Sequence, residues 1–321
     1  MVSKSWAPLE PRQLGQPLVA ILMCTFNGEQ FLQEQLESIA SQTHKNWVLW
    51  ISDDGSSDQT WSILHSVQRA WGSERIILSQ GPRQGFARNF LSLACRSDIE
   101  AEYFAFSDQD DIWLPDKLSR ALSMLEGQPD NQALLYGSRT RMVDANGEDL
   151  GISKLQPKTL TFSNALVQNV AGGNTMMFNR VLIETIRFAG PQVNIVSHDW
   201  WLYLVTTATH GKMIFDQTPY ILYRQHKGNV VGSNLGIKPG LKRLRQLFSG
   251  RFKGWIQSNC ACLRQIESKM SADHVKRVRL LSSLHRLWML KRLTSFLRSG
   301  VRRQSIAGNI ALFAAVVLNQ V

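Results

Sequence analysis

The residue pattern predicts an α/β fold in which a parallel sheet is wound with helices and followed by a basic helical region. Three observations carry this expectation. Short apolar runs alternate four times with segments that are apolar at helical spacing, all within roughly the first hundred residues. Polar, carboxylate-rich breaks follow the first, second and fourth runs. The formal net charge of +11 is also divided unevenly along the chain of 321 residues. Residues 1–237 carry 19 Lys+Arg against 23 Asp+Glu, whereas residues 238–321 carry 17 against 2. Such a division suits a near-neutral body, 17–237, and a basic region, 238–321, that meets an anionic surface.

Residues 1–16, rich in Pro and Gln, read as a loose leader without the apolar core of a signal peptide. Leu18–Met23 is a continuous apolar run, as expected of a strand covered on both faces. Thr25-Phe26-Asn27-Gly28 breaks it, and Phe31, Leu32, Gln35, Leu36 and Ile39 then recur at helical spacing up to Gln42. Trp47–Ile51 forms a second strand, ending in Ser52-Asp53-Asp54-Gly55-Ser56-Ser57-Asp58. Asp58 is placed to cap a helix through Arg69. Arg75–Leu78 is a third strand, and a helix to about Cys95 leads to a fourth, Tyr103–Phe106. Pro115 and Asp116 open a further helix. Right-handed crossovers would make these strands parallel and bring their polar breaks to one edge, where such sheets hold ligands.

The break after the fourth strand is Ser107-Asp108-Gln109-Asp110-Asp111-Ile112-Trp113. Carboxylates this close repel one another, so a cation among them would relieve the charge. A solvated acidic turn opening the next helix is the other reading of this stretch alone. Convergence of three polar turns favours a metal with a bound ligand. No G-x-G-x-x-G follows the first strand, so a dinucleotide fold of the usual kind is excluded, and phosphates fall to metal and arginine.

Further on, Ala133–Val143 reads as one strand, Asp144–Gly147 as a turn, and Ala171-Gly172-Gly173-Asn174 as a close backbone approach or a plain turn before Thr175–Phe178. Ser197-His198-Asp199-Trp200-Trp201 opens a helix to about Thr209, with Asp199 in the first turn where the helix dipole favours an anion. Lys212–Phe215 and Tyr220–Tyr223 read as paired strands, closed by Arg224-Gln225-His226-Lys227-Gly228-Asn229. Four cysteines, Cys24, Cys95, Cys260 and Cys262, show neither a disulfide framework nor zinc spacing and are expected as reduced thiols. The longest apolar run, Ile306–Leu318, is too short to span a bilayer.

Taken in order, these motifs resemble the family 2 glycosyltransferases, over roughly Leu18 to Val231. The resemblance rests on Thr25–Gly28, Ser41-Gln42-Thr43, Asp53-Asp54-Gly55-Ser56, Asp108-Gln109-Asp110-Asp111 and Asp199. With His198-Asp199-Trp200-Trp201 and Tyr223-Arg224-Gln225-His226, it is most similar to bacterial rhamnosyltransferases of surface polysaccharide assembly. It implies a GT-A fold, a central mixed sheet flanked by helices, and an inverting, metal-dependent transfer from a nucleotide sugar. It implies Cys24 and Phe26 at the nucleotide base, Asp54 on the base N–H, Asp108 near the ribose, and Arg83 or Arg88 on the diphosphate. Asp110 and His226 would hold Mg²⁺ or Mn²⁺, Asp199 would be the general base, and Trp113, Gly172, Gly173, His198 and Trp200 would lie on the acceptor side. The donor would be a dTDP- or UDP-sugar, with dTDP-rhamnose foremost. The acceptor would be a lipid-linked saccharide met at the cytoplasmic face of the plasma membrane.

In the basic region, Val275, Val278, Leu281, Leu284, Trp288 and Leu293 fall near one helical stripe, with Lys276, Arg277, Arg279, Arg286, Lys291 and Arg292 around it. Such a helix can lie on an anionic membrane, or pack as a lid on the body with a solvated basic face. Nucleic acid is the rival partner for so basic a segment, but no helix-turn-helix, zinc-finger or stacking-platform signature accompanies it, so none is expected.

Overall fold

The computed structural model describes residues 6–156, 158–226 and 250–321. The boundary expected at 237/238, and the Lys227–Asn229 end of the closing motif, lie outside the described residues.

Strand β1, Val19–Thr25, is buried along its whole length. Its alternate side chains face opposite layers. Val19, Ile21 and Met23 join one core, and Ala20, Leu22 and Cys24 the other. A strand covered on both faces has no polar side, which is why its sequence is an unbroken apolar run. Helix α1 (Leu32–Ala40) and β2 (Trp47–Asp53) follow, then α2 (Thr60–Trp71), β3 (Ile76–Gln80), α3 (Phe86–Ala94) and β4 (Tyr103–Ser107). β3, β2, β1 and β4 lie side by side and parallel, as the alternation predicts. The sheet is extended by β9 (Met177–Asn179), antiparallel to β4, then by β6 (Leu134–Ser138) and β10 (Lys212–Asp216). The result is a mixed seven-stranded sheet with helices on both faces. α1, α2 and α4 (Lys117–Leu125) pack on one side; α3, α6 (Arg180–Ala189) and α7 (His198–Ala208) pack on the other.

Two expectations about the second half are corrected. Ala133–Val143 is not one strand but two, β6 in the main sheet and β7 (Arg141–Val143) in a four-stranded sheet ordered β5-β11-β7-β8. β5 is Ile112–Trp113, β8 is Asp149–Ile152 and β11 is Ile221–Arg224. Likewise Lys212–Phe215 and Tyr220–Tyr223 do not pair with each other, since β10 pairs with β6 and β11 with β5 and β7. Both chains cross between sheets at the same place. Buried Asp216 fixes it by accepting from Arg120 Nε (2.8 Å), Tyr136 OH (3.3 Å) and the Thr218 N–H (2.9 Å), while its own carbonyl takes the Arg139 N–H.

Residues 6–16 are tied down rather than loose. Trp6 meets Trp71 edge-on, Trp71 Nε1 donates to the Ala7 carbonyl, and Arg12 Nε donates to Asn46. At the other end, α8 (Arg251–Leu263), α9 (Ala272–Ser283), α10 (Met289–Ser299) and α11 (Ile306–Val317) share the core of α3, α6 and α7. Trp255 packs edge-on to Trp200, and His274 Nδ1 lies 2.8 Å from the Ala208 carbonyl oxygen. Of the two readings left open for the basic stripe, packing on the body describes it: Val278, Leu281 and Leu284 are buried. The stripe also breaks, because a 3₁₀ turn at Leu284–Arg286 ends that helix and leaves Trp288 exposed. The four cysteines are free thiols. Among the described residues no helix is long and apolar enough to cross a membrane.

Asn179 links several of these parts. Its Oδ1 accepts from the Leu182 N–H as the cap of α6 and from the Leu134 N–H of β6, and its Nδ2 donates to the Gln132 carbonyl. Asn179→Ala strands buried groups at all three places and is expected to lower unfolding free energy by about 1–3 kcal/mol, measured by urea denaturation.

Candidate active site

The register Thr25↔Asp53 and Met23↔Ser107 sets the ends of β1, β2 and β4 side by side, so the loops after them meet at one edge of the sheet. In the first loop Asn27 adopts a positive φ. The Gln109 amide clasps this loop, accepting from the Phe26 N–H (2.9 Å) and donating to the Phe26 carbonyl (2.9 Å). A Cβ on Gly28 would lie 2.3 Å from Gln109 Oε1, so the clasp requires glycine there. Phe26 itself presents an exposed ring. Cys24 is buried beneath this edge, and its thiol is pushed well up by burial and by the charges of Asp108 and Asp54.

The two aspartates after β2 do different things. Asp53 is structural, accepting from Thr25 Oγ1, Ser56 Oγ and the N–H groups of Gly55 and Ser56. Asp54 gives one oxygen to the Arg83 N–H and the other to the Gly85 N–H, each at 2.7 Å. That folds the 83–85 loop over the edge and leaves each oxygen a further lone pair. Arg83 stands exposed beside Gly55, within reach of this end of the site. Arg88 is elsewhere: its Nη1 donates to the carbonyls of Pro191 and Val193. Arg88 thereby braces the chain leading into α7.

After β4 the carboxylates divide again. Asp111 is fully buried. One oxygen accepts from Asn174 Nδ2 (2.7 Å) and Oδ1 has no partner, while burial, Asp110 and Asp108 drive its pKa well up. Lys117 is buried nearby with Nζ 3.7 Å from the centroid of the Trp113 ring. Burial lowers its pKa to about 7 against the pull of Asp111. Asp110 faces the cleft, and its Oδ2 lies 2.8 Å from His226 Nε2. Arg224 steadies that pair by donating to the Asp110 carbonyl and to the Glu34 carboxylate, with its guanidinium over the Phe31 ring. Asp108 is raised to about 8 by burial, then by Asp110 and Asp199. His198, beside Asp199, meets Phe106 of β4 edge-on (5.0 Å between centroids), so the first turn of α7 lies near the end of β4. Asp199 Oδ1 accepts from the Trp200 N–H (2.7 Å), which fixes its side chain at the helix N-terminus.

A model of the "Glycosyl transferase family 2" domain matches residues 20–187. The chain belongs to glycosyl transferase family 2. It is similar to the dTDP-rhamnosyl transferase RfbG of Shigella flexneri, 34% identical over 228 residues that cover 69% of this chain and 78% of that protein. It also resembles the UDP-Glc:alpha-D-GlcNAc-diphosphoundecaprenol beta-1,3-glucosyltransferase WfgD of Escherichia coli, 27% identical over 59% of this chain and 70% of that one. Among solved structures, S. aureus TarS 1-349 in complex with UDP-GlcNAc superposes with a TM-score of 0.53 at 14% identity, covering 88% of this chain and 92% of that one. The fold is GT-A, and the protein is a glycosyltransferase.

Within this family 2 enzyme, two residues expected on the acceptor side lie elsewhere. Trp113 is buried under Lys117 and within the core of α1 and α4. With its amide oriented to satisfy both ends, Gln35 accepts from the Trp113 indole (3.2 Å) and from Ser107 Oγ (2.8 Å). Trp200 is buried too, with Nε1 donating to the Ala165 carbonyl (2.6 Å). The ring of each fills the core, which its sequence position beside a motif does not reveal. Gly172 is exposed, and Gly173 lies directly against His198, where a Cβ would come within 2.1 Å of Nε2. His198 stacks on Phe90 (4.0 Å between centroids) and meets Phe106 edge-on. Sequence reasoning missed Asn174, Gln109, Glu34 and Lys117 as supports. Of these Gln109 and Asn174 stood inside motifs the sequence singled out, whereas Glu34 and Lys117 did not.

Neither ring nitrogen of buried His198 has a hydrogen-bond partner. Burial holds its pKa down to about 4, with Asp199 acting weakly in the opposite sense. The unfolded chain, with an ordinary imidazole near 6.5, therefore takes up a proton first as pH falls. Stability is expected to decline between roughly pH 6.5 and pH 4, by on the order of 3 kcal/mol, with no further His198 contribution below that. Urea denaturation across this range should show a flatter pH slope in His198→Leu.

Proposed function

We propose that this enzyme transfers rhamnose from dTDP-rhamnose, with inversion and with a divalent cation, to a lipid-linked saccharide. The observation that supports this chemistry is the Asp110–His226 pair at the exit of β4 together with Asp199 in the first turn of α7, whose neighbour His198 packs edge-on against Phe106 of β4, with Asp108 raised by both Asp110 and Asp199. The donor assignment rests on the similarity to RfbG, and the lipid-linked acceptor on the diphosphoundecaprenol acceptor in the name of WfgD.

The residues present fit a hard cation. Asp110 and His226 offer an oxygen and a nitrogen 2.8 Å apart, and the crowded carboxylates around them favour positive charge. The donor's phosphates and water would supply further oxygen ligands beside these two side chains. Mg²⁺ or Mn²⁺ held there supplies positive charge to the departing diphosphate. Arg83 adds a second cation at the same end, and Phe26, Cys24 and Asp54 border the base.

Asp199 has the properties of the base. It is fixed by the Trp200 N–H in the first turn of α7. There it can accept the acceptor hydroxyl's proton as that oxygen attacks the anomeric carbon. One base and one displacement give inversion. Gly172 and Gly173 let the acceptor approach the backbone beside His198.

Asp199→Asn is expected to lower kcat by roughly a hundredfold to ten-thousandfold, with donor affinity unchanged by titration calorimetry. Near wild-type turnover would remove Asp199 as base. EDTA should stop transfer, and Mn²⁺ should restore it in the wild type but poorly in Asp110→Asn or His226→Ala; rates indifferent to chelation would rule out the cation. In a panel of nucleotide sugars, dTDP-rhamnose should be consumed fastest, and faster use of a UDP-sugar would reassign the donor.

A further inference from the structure

Exposed large apolar side chains are concentrated in one part of the molecule. Trp288, Met289, Leu290, Leu297, Ile306, Ile310, Phe313 and Leu318 are each between 46% and 77% exposed, and all belong to α10, α11 or their flanks. The two helices lie antiparallel. Arg292, near the start of α10, donates to the carbonyls of Val316 and Val317 at the end of α11, and Phe296 meets Phe313 midway. On α10, Leu290 and Leu297 are two turns apart; on α11, Ile306, Ile310 and Phe313 fall at helical spacing. The inward faces are made of Phe296, Leu312, Ala315 and Val316, which join the core. This helix pair thus has two apolar sides, and among the described residues only one is covered.

The charges around the uncovered side share one sign. Residues 250–321 contain thirteen Lys+Arg and two Asp+Glu. Both acids are already paired, Asp273 with Arg277 and Glu267 with Arg279. Arg286, Lys291, Arg298 and Arg302 are exposed and alternate along the chain with the apolar residues. Apolar side chains interleaved with cations match the interface of an anionic bilayer, where the former enter the acyl boundary and the latter meet the headgroups.

We propose that the outer face of the α10–α11 pair docks this enzyme on an anionic lipid bilayer. Trp288 to Leu290, Leu297, Ile306, Ile310 and Phe313 would enter the interface, and Arg286, Lys291, Arg298 and Arg302 would contact lipid headgroups. This deepens the reading that the acceptor is lipid-linked. The face differs from the stripe of Val278, Leu281 and Leu284 that the sequence left open between membrane and lid, and which is buried.

The test is sedimentation of the full chain with vesicles of phosphatidylglycerol and phosphatidylcholine, and of phosphatidylcholine alone, without donor or acceptor. The wild type should bind the anionic vesicles, release as salt rises from about 0.1 to about 0.5 M, and bind the neutral ones far less. Leu290→Ser/Leu297→Ser/Ile310→Ser should bind about tenfold less or worse. Lys291→Gln/Arg298→Gln, which leaves the apolar face intact, should lose several-fold and most of its salt dependence. Circular dichroism confirms folding, and the charge variant still decides the matter if the serine variant does not fold. Absence of wild-type binding, equal binding to neutral vesicles, or wild-type binding by both variants overturns the proposal. Concentration-dependent dimers in sedimentation equilibrium, lost in the serine variant and seen without vesicle binding, also overturn it and assign the face to a second copy. Consumption of dTDP-rhamnose measured without lipid separates this outcome from the donor reading, because a failure of one leaves the other standing.

Discussion

Repulsion among carboxylates held in a poorly solvated edge is the constraint around which this molecule is arranged. Asp108, Asp110 and Asp111 leave β4 together, and Asp53 and Asp54 leave β2 two strands away. Burying that much like charge is costly unless each group is neutralised, hydrogen-bonded or kept for a cation. The fold uses all three solutions. Asp53 is satisfied by four local donors. Asp54 is met by two loop amides. Asp111 has Asn174 and a nearby lysine. Asp108 and Asp111 still bear the cost of burial beside neighbouring carboxylates, and Asp110 lies against His226. The polar scaffold thus isolates the site's unspent negative charge at the place where the donor's phosphates and a cation would lie.

The same scaffold explains why supporting residues come from distant parts of the chain. Arg224 touches Asp110, Ala145, Glu34 and Phe31, linking the β4 exit to α1, to the β7–β8 turn and to β11. Asn174 joins the Gly172–Gly173 turn to Asp111. The second, smaller sheet is therefore part of the site's positioning, since β11 carries Arg224 and leads directly to His226. A substitution in that sheet can move the Asp110–His226 pair without touching a ligand.

Much of the first half was legible because burial on both faces leaves an unmistakable trace. β1, β2 and β4 are apolar runs, the helices between them keep one apolar side, and the polar residues at the strand ends are conspicuous by contrast. The second half was harder for a physical reason. When a chain leaves one sheet for another at Arg139–Thr140, both segments keep the extended two-residue period, so periodicity alone shows one strand where there are two. The site showed the same division. Groups that act by charge, such as Asp108, Asp110 and Asp199, stand in recognisable motifs. Groups that act by packing, such as Trp113 and Trp200, share those motifs but serve the core. Arg88 and Arg83 look equivalent in sequence, and only the carbonyls of Pro191 and Val193 distinguish them.

The basic region shows how charge and packing can be read apart. Its excess of lysine and arginine suggested a separate appendage, yet Phe252, Ile256, Leu281 and Leu312 belong to the same core as α7. Arg277 reaches Ser163 and the Gln304 side chain reaches Asn164, both in the short helix Phe162–Ala165, so polar contacts bind the region to the body as well. Truncating the chain before α8 would therefore uncover the apolar face of the helix that carries Asp199. Lost activity or lost membrane association in such a truncation would report unfolding as readily as function. The region's surface must be probed by changing exposed side chains one face at a time, because its inner face is part of what holds the helix bearing Asp199 in place.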